Sequence, residues 1–427
     1  MRPTGRLQIG NYFGALQNWV RLQDDPSYDC FYFVADWHAL TSDYADTSAI
    51  AENTLQVAID FLAAGLDPQR SVIFLQSQIP EHAELHLLLS MITPLGWLER
   101  VPTYKEALDN IKNKDLHTYG FLGYPVLQTA DIVIYSKLDE TTGKLLPLFV
   151  PVGEDQVAHV EMSRELVRRF NSFYGLEIDS ELRKAGRAGA CSDVFNALGV
   201  PGATPSVNDF PLSEEKWADF VSRVRARILE IGLDNARQLL GAMVSASDYL
   251  RFSEKLTEPT VLLTPTPRVP GLDGRKMSKS YGNAITLSES DADIRSKTKV
   301  MVTDPARKRR TDPGNPDICP VYDWHKLFST PERDPGRLDW VQTGCRSAAI
   351  GCIECKAAMA DNLINWIAPI RERRLHYEKR KREVKYILQE GSVKARLTAQ
   401  ETMSRVRDAV MGKDRISRRT IRRKGAR

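Results

Sequence analysis

Over roughly the first 175 positions, short apolar runs rich in β-branched and aromatic residues alternate with stretches whose apolar residues recur every three or four places. Positions 30–35, 71–75 and 148–152 are runs of the first kind and predict strands, whereas 51–64 is of the second kind and predicts a helix. Strand and helix in alternation predict an α/β fold, a parallel sheet with crossover helices. Ligands of such sheets sit beyond the carboxyl ends of the strands, so polar or glycine-containing segments that follow a strand are where chemistry is sought.

The texture changes at 176–257, which opens with a Gly- and Ala-rich stretch at 184–190 and a Pro-containing loop at 201–211, then reads as helical over 217–250. An apolar run at 260–263 is closed by the Pro-rich 264–270 and a basic loop at 276–280. From Ser288 onward the periodicity is helical only, with Ser288 and Asp291 spaced as a capping box. The domains expected are therefore 1–175, an insertion at 176–257, a last strand and basic loop at 258–288, a helical domain at 289–412 and a tail at 413–427.

With 27% charged and 42% apolar residues, 26 Gly and 23 Pro, the chain excludes disordered, collagen-like and small disulfide-stapled classes. No apolar run approaches the roughly 18 residues of a membrane span, and the opening Met-Arg-Pro-Thr-Gly lacks a secretory apolar segment, so a cytoplasmic protein is expected. The net charge of +4 conceals an asymmetry: the tail 413–427 holds eight Lys/Arg against one Asp, leaving the rest slightly acidic. A basic tail on an acidic body suits contact with a polyanion.

Three strings carry the chemistry. Thr4-Gly5-Arg6-Leu7-Gln8-Ile9-Gly10-Asn11 precedes a helical run at 13–22, and its glycines let backbone amides approach a phosphate at a helix start. Gly153-Glu154-Asp155-Gln156 follows the strand 148–152 and heads a helix through 161–170, placing a carboxylate where ribose hydroxyls could donate to it. Lys276-Met277-Ser278-Lys279-Ser280 sets two ammonium groups on one loop, able to neutralise charge that moves onto a leaving pyrophosphate.

In this order and on these elements, the strings resemble those of class I aminoacyl-tRNA synthetases, and the chain is similar to the bacterial tryptophanyl-tRNA synthetase family over most of 1–175 and 258–412. Gln8 to Asn11 corresponds to the HIGH motif of that class, and 276–280 is an unaltered KMSKS motif. The resemblance implies a Rossmann-type doubly wound parallel sheet with an all-α, anticodon-binding C-terminal domain. Family members carry a strand ahead of the Arg-Pro-Thr-Gly string, and here Met1 stands directly before Arg2, so a sheet lacking that N-terminal strand is expected. It also implies ATP contacts at Arg2, Pro3, Thr4, Gly10 and Asn11, ribose contacts at Gly153, Glu154 and Asp155, and phosphate contacts at Lys276, Met277, Ser278, Lys279 and Ser280. Gln8, Asn11, Lys276 and Lys279 would be the catalytic set. Gln8 stands where the first His of the motif is usual, and can donate a hydrogen bond but carry no imidazolium charge.

Tyr124, Gln128 and Asp131 fall at i, i+4 and i+7, one face of a helix. The resemblance makes Asp131 the acceptor of the tryptophan indole N–H, gives Tyr124 and Gln156 the α-amino group, and lines the pocket with His38. The implied reaction is tryptophan activation by Mg–ATP followed by transfer to the 2′-hydroxyl of the terminal adenosine of tRNA(Trp). The alternatives are a tyrosine-activating relative and, given the missing strand, a tRNA-binding protein without catalysis. A homodimer is implied as well, with 81–97 and its Leu85, Leu87, Leu88 and Leu89 as the expected interface.

Of six cysteines, Cys30 and Cys191 are isolated and read as structural thiols, while Cys319-x25-Cys345-x6-Cys352-x2-Cys355 has the form of a metal site. Four thiolates suit either tetrahedral zinc or a 4Fe-4S cluster. Resemblance favours the cluster, since one branch of the family shares the x6 and x2 spacings and the flanking strings Asp312-Pro313-Gly314-Asn315-Pro316 and Pro369-Ile370-Arg371-Glu372-Arg373. Arg346 and Lys356 beside it would then be available to tRNA, whereas Arg223, Arg225 and Arg227 of the insertion could touch tRNA or restrain the basic loop that follows, a passive surface insertion being the alternative.

Overall fold

A computed structural model describes residues 1–110, 114–241, 249–263 and 269–411. The basic tail at 413–427 and part of the helical stretch expected at 217–250 lie outside the described residues. The chain is α/β, Rossmann-like, with a helical C-terminal region, as the alternation of patterns implies. The strands are β1 (Phe31–Val34), β2 (Val72–Leu75), β3 (Leu148–Val152), β4 (Leu176–Ile178), β5 (Leu250–Phe252) and β6 (Pro259–Leu263). Strands β1 and β2 are parallel, with Phe31 opposite Val72 and Val34 opposite Leu75; β3 pairs with β6, and β4 with β5 in antiparallel register. On the far side of β1, the Met1 amino group donates to the Phe33 carbonyl at 2.7 Å and the Ala35 N–H to the Met1 carbonyl at 2.8 Å.

Two compact units divide the chain. The first comprises 1–79, 151–156 and 262–395. Its central helix, Ile50–Ala64, is buried at every position from Thr54 to Ala64, polar ones included. A helix buried all round needs cover on all sides, and here helix Cys352–Glu378 packs along it. Gly65 ends it in a left-handed conformation, φ 116°, that lets the Leu66 N–H reach the Phe61 carbonyl. The first helical run, 9–23, is wound as a π-helix over Tyr12–Leu16, where Phe13 stacks on Trp366 at 5.4 Å and meets Phe328. Helix Lys381–Met411 lies on the outer edge of β2: the Leu75 N–H donates to Ser392 Oγ, and Gly391 sits so close that a Cβ there would fall 1.9 Å from the Ile73 carbonyl oxygen.

The second unit comprises 80–150, 157–261 and 396–427. Helix Tyr124–Val133 packs between Glu81–Ser90 and Val157–Tyr174. Residues from 176–241 and 249–252 form a core of their own, in which Phe195 stacks on Phe220 and Leu182, Cys191, Val224 and Ile228 are fully enclosed. The helical reading of 217–250 is met by two helices among the described residues, Glu214–Ile231, which ends at Gly232, φ 85°, and Leu233–Gly241, while Leu250 belongs to β5. A left-handed glycine breaks an amphipathic run without altering its periodicity, so the pattern conceals the break. Arg223 and Arg227 are engaged structurally, donating to the carbonyls of Pro201, Ala203 and Leu198 that follow or end helix Ala188–Leu198.

The capping box also moves by two residues. Ser290 caps helix Asp291–Lys299 by accepting the Asp293 N–H at 3.1 Å, while its hydroxyl donates to the Asp293 carboxylate. Among the described residues no helix is long and apolar enough to cross a membrane.

Candidate active site

The site is built on the turn that leads from Met1 into the first helix. Gln8 precedes helix Ile9–Asn11, and its N–H donates to Asn11 Oδ1 at 3.0 Å, so Asn11 closes the turn on which both motif residues stand. The turn is anchored from behind: the Ile9 N–H bonds the Ile285 carbonyl, the Leu287 N–H bonds the Leu7 carbonyl, and the Leu7 N–H donates to Asp60 Oδ2 at 2.7 Å. Leu7 and Ile9 face the core, and Gln8 between them, half-buried, is turned the other way.

The lysine-rich loop meets this turn. Gln8 Nε2 donates to the Met277 carbonyl at 3.2 Å, and Lys279 Nζ donates to the Thr4 carbonyl at 3.0 Å. Gly10 lies against the Met277 side chain, where a Cβ would fall 3.6 Å from its sulfur. The loop is shaped by Asn283, whose Oδ1 accepts the Ser278 N–H and whose Nδ2 donates to Asp273 and to the Lys276 carbonyl. Gly271 makes room for it, since any Cβ there would overlap the Asn283 amide at 2.3 Å. Two strings separated by more than 260 positions are thus joined side chain to backbone, and Gln8 keeps one buried acceptor, Oε1, without a partner among the described residues. The side chain of Ser280 lies outside the described set.

Asp60, beneath this turn, belongs to none of the three strings. It is fully buried on helix Ile50–Ala64, bonded to Leu7 and to the Arg374 guanidinium, and burial outweighs that cation, pushing its pKa up to about 6. The Lys279 ammonium is held below the ordinary lysine value by desolvation, which the attraction of Asp60 only partly offsets. A lone Asp within an apolar helical run is the signal of it that the sequence offers.

Gly153 follows β3, and Glu154–Gln156 form a short 3-10 turn with the Gln156 N–H bonded to the Gly153 carbonyl; Glu154 and Asp155 are exposed. His38 is buried in helix Asp36–Asp43, whose first N–H groups are held by the buried Gln76: the Trp37 N–H donates to Oε1 at 3.1 Å. These residues, with Arg2 to Asn11 and Lys276 to Ser280, belong to the first unit.

Tyr124, Gln128 and Asp131 belong to the second, and all three stand on helix Tyr124–Val133. The Tyr124 hydroxyl lies 2.5 Å from Thr103 Oγ1, which also meets His159 Nε2 at 2.8 Å. Asp131 is 4% exposed, and its carboxylate meets His82. Thr103, His159 and His82 reach these positions from other helices, so no local spacing reports them.

The four clustered cysteines are reduced. Cys319 caps helix Pro320–Phe328, Cys345 lies near the end of Arg337–Arg346, and Cys352 and Cys355 open helix Cys352–Glu378. Burial raises the pKa of Cys355 to about 12, and the charges of Cys319, Cys345 and Cys352 add to the rise. Arg307 donates to Cys345 Sγ at 3.6 Å, and Gly314 leaves space for that sulfur. No group of three or more ligands among the described residues is already drawn into metal-binding geometry. Arg346 is paired with Asp317, and Lys356 Nζ donates to the Lys299 carbonyl.

Comparison with known proteins places these features. The family described as tRNA synthetases class I (W and Y) matches residues 1–182 and 225–367. A tryptophan–tRNA ligase of Ralstonia nicotianae is 47% identical over 414 residues, covering 96% of each chain, and one of Thermotoga maritima is 40% identical over 410 residues, covering 96% of this chain and 97% of that one. The structure of tryptophanyl-tRNA synthetase from Campylobacter jejuni, complexed with ADP and tryptophan, superposes with a TM-score of 0.67 at 27% identity, covering 96% of this chain and 97% of that one. On a turn and a lysine loop that meet as described, and on matches that span nearly the whole sequence, this chain belongs to the tryptophanyl-tRNA synthetase family of class I.

Proposed function

We propose that the chain is a tryptophan–tRNA ligase and that its site residues act as follows. The tryptophan carboxylate attacks the α-phosphorus of Mg–ATP, the bond to the β-phosphate breaks, and tryptophanyl-adenylate and pyrophosphate form. The 2′-hydroxyl of the terminal adenosine of tRNA(Trp) then attacks the acyl carbon and AMP leaves. No side chain needs to become a covalent nucleophile, so rate comes from positioning and from cations aimed at developing charge. Lys276 and Lys279 serve the departing pyrophosphate, the Thr4 to Asn11 turn holds the triphosphate, and Asp155 receives ribose hydroxyls. The indole N–H, a donor only, is matched by Asp131, a carboxylate acceptor.

The observation that carries this reading is the meeting of the two strings: Lys279 Nζ on the Thr4 carbonyl and Gln8 on the Met277 carbonyl. A mobile ammonium at the glycine turn can exchange a backbone carbonyl for a phosphate oxygen as ATP enters. ATP–pyrophosphate exchange, with tryptophan and tyrosine supplied separately, tests it. Exchange with tryptophan alone is expected; exchange with tyrosine, or with neither from a folded chain, defeats it.

Cys319, Cys345, Cys352 and Cys355 would hold a 4Fe-4S cluster, a cross-link between the starts of two helices and the end of a third. The spacing of the four cysteines and the Arg307 donor at Cys345 support a four-thiolate site, with zinc as the alternative. Visible charge-transfer absorption after anaerobic reconstitution distinguishes iron–sulfur from colourless zinc. The homodimer belongs to the same proposal: on 81–97, Leu85 and Leu89 are consumed by the core, but Leu87, Met91 and Leu95 are 53%, 71% and 59% exposed. Sedimentation of Met91→Glu, expected to shift the protein to monomer, checks that face.

A further inference from the structure

The deepest polar cluster of the second unit is a line of three side chains. Asp131 Oδ1 lies 2.5 Å from His82 Nδ1, and His82 Nε2 lies 2.8 Å from the Tyr135 hydroxyl. His82 is 0%, Asp131 4% and Tyr135 7% exposed. His82 stands on helix Glu81–Ser90, which packs against the helix bearing Asp131. Its neighbour Glu81 is turned to Arg396, at 3.0 Å.

Burial, with the nearby charges of Asp131 and Glu81, drives the Tyr135 pKa well above its ordinary value, so the hydroxyl keeps its proton and has one to donate to His82 Nε2. When the hydroxyl donates to His82 Nε2, Nδ1 is the ring nitrogen that donates to Asp131. A carboxylate oxygen that accepts from such a fixed donor is held in one direction.

We infer that His82 is a positioning residue for amino-acid specificity: held by Tyr135 on one ring nitrogen, it uses the other to keep the Asp131 carboxylate aimed as the acceptor for the side-chain N–H of the substrate. This inference rests on the assignment of Asp131 to the indole N–H. A misdirected acceptor would still admit an aromatic side chain and would lose its preference for one that carries the N–H, because discrimination against the analogue lacking it depends on a fixed buried partner.

The test measures pyrophosphate-exchange kcat/KM for tryptophan and for its benzothiophene isostere, in which sulfur replaces the indole N–H, using the full chain and variants matched for melting temperature. Asp131→Asn is expected to collapse the preference for tryptophan; a wild-type preference there removes both the Asp131 assignment and this inference. His82→Gln, whose amide nitrogen falls at the Nε2 position, is expected to lower the preference roughly 10- to 100-fold, the usual effect of losing a group that orients a ligand-binding side chain. His82→Asn, whose amide nitrogen falls at the Nδ1 position, restores the donor and is expected to retain it. Loss in Asp131→Asn with no loss in His82→Gln, or equal loss in His82→Gln and His82→Asn, overturns the positioning role and leaves Asp131 standing. Tyr135→Phe removes only the hydroxyl and gives an independent reading: a lowered preference supports the hold of Tyr135 on His82, and an unchanged one overturns it.

Discussion

Replacing Arg374 by methionine would leave a carboxylate stranded beneath the turn that leads into the first helix. Arg374, 2% exposed, donates to Asp60 and to the Gln56 side chain and reaches Glu378 at 3.0 Å, while the other Asp60 oxygen accepts the Leu7 N–H at 2.7 Å. Even with this cation, burial lifts the Asp60 pKa from 3.8 to about 6. That rise of roughly 2 units corresponds to about 3 kcal/mol. Because the folded state binds this proton more tightly than the unfolded state, the contribution of Asp60 to stability is full below about pH 4 and is lost as pH rises through about 6. Removing the cation deepens the cost of the charged form: Arg374→Met is expected to lose about 3 to 5 kcal/mol near neutral pH, the usual consequence of breaking a buried pair on one side. At about pH 5, where Asp60 can take up a proton, the loss should shrink, and adding Asp60→Asn should recover most of the deficit at either pH. Urea unfolding followed by circular dichroism at about pH 5 and about pH 8 measures both. A loss below about 1 kcal/mol, or one indifferent to pH, refutes the reasoning.

Other consequences are open to measurement. Lys279→Ala should slow adenylate formation by about 2 orders of magnitude or more, as expected for loss of a group that stabilises developing charge, with little change in tryptophan affinity by calorimetry; equal losses would place the lysine in binding. Gly391→Ala should lower the melting temperature although alanine is the better helix former by about 1 kcal/mol, because the added carbon collides with the Ile73 carbonyl; an unchanged melting temperature would contradict the close approach. Cys352→Ser should abolish the visible absorption of reconstituted protein, and retention of colour would remove that residue from the ligand set.

Legible in the sequence is whatever is written locally. Strand 148–152 and helix 51–64 have a period that fits one structure, and the lysine loop and glycine turn are short strings whose backbone requirements show in their residues. Gly232 ends a helix that periodicity carries on to 250, because one residue at positive φ leaves the apolar spacing on either side intact. Asp60, His82 and Arg374 escape a reading of the sequence for a different reason: each is defined by a partner tens to hundreds of positions away, and a buried charge is recognisable only once its partner is in place. The four cysteines announce themselves as a set, while Arg223 and Arg227 of the insertion are consumed by carbonyls no spacing rule foretells.

The helix that seals the outer edge of β2 also sets an order of events during synthesis. Until Gly391 and Ser392 have emerged from the ribosome, the Leu75 N–H and Ile73 carbonyl side of that strand is an open template for any other extended chain. More than 300 residues are therefore translated while the first strand pair has one raw flank, a period in which chaperones protect such edges. The last long helix then shields the oldest part of the sheet, so a chain that loses it would betray the loss first as aggregation of its N-terminal strands.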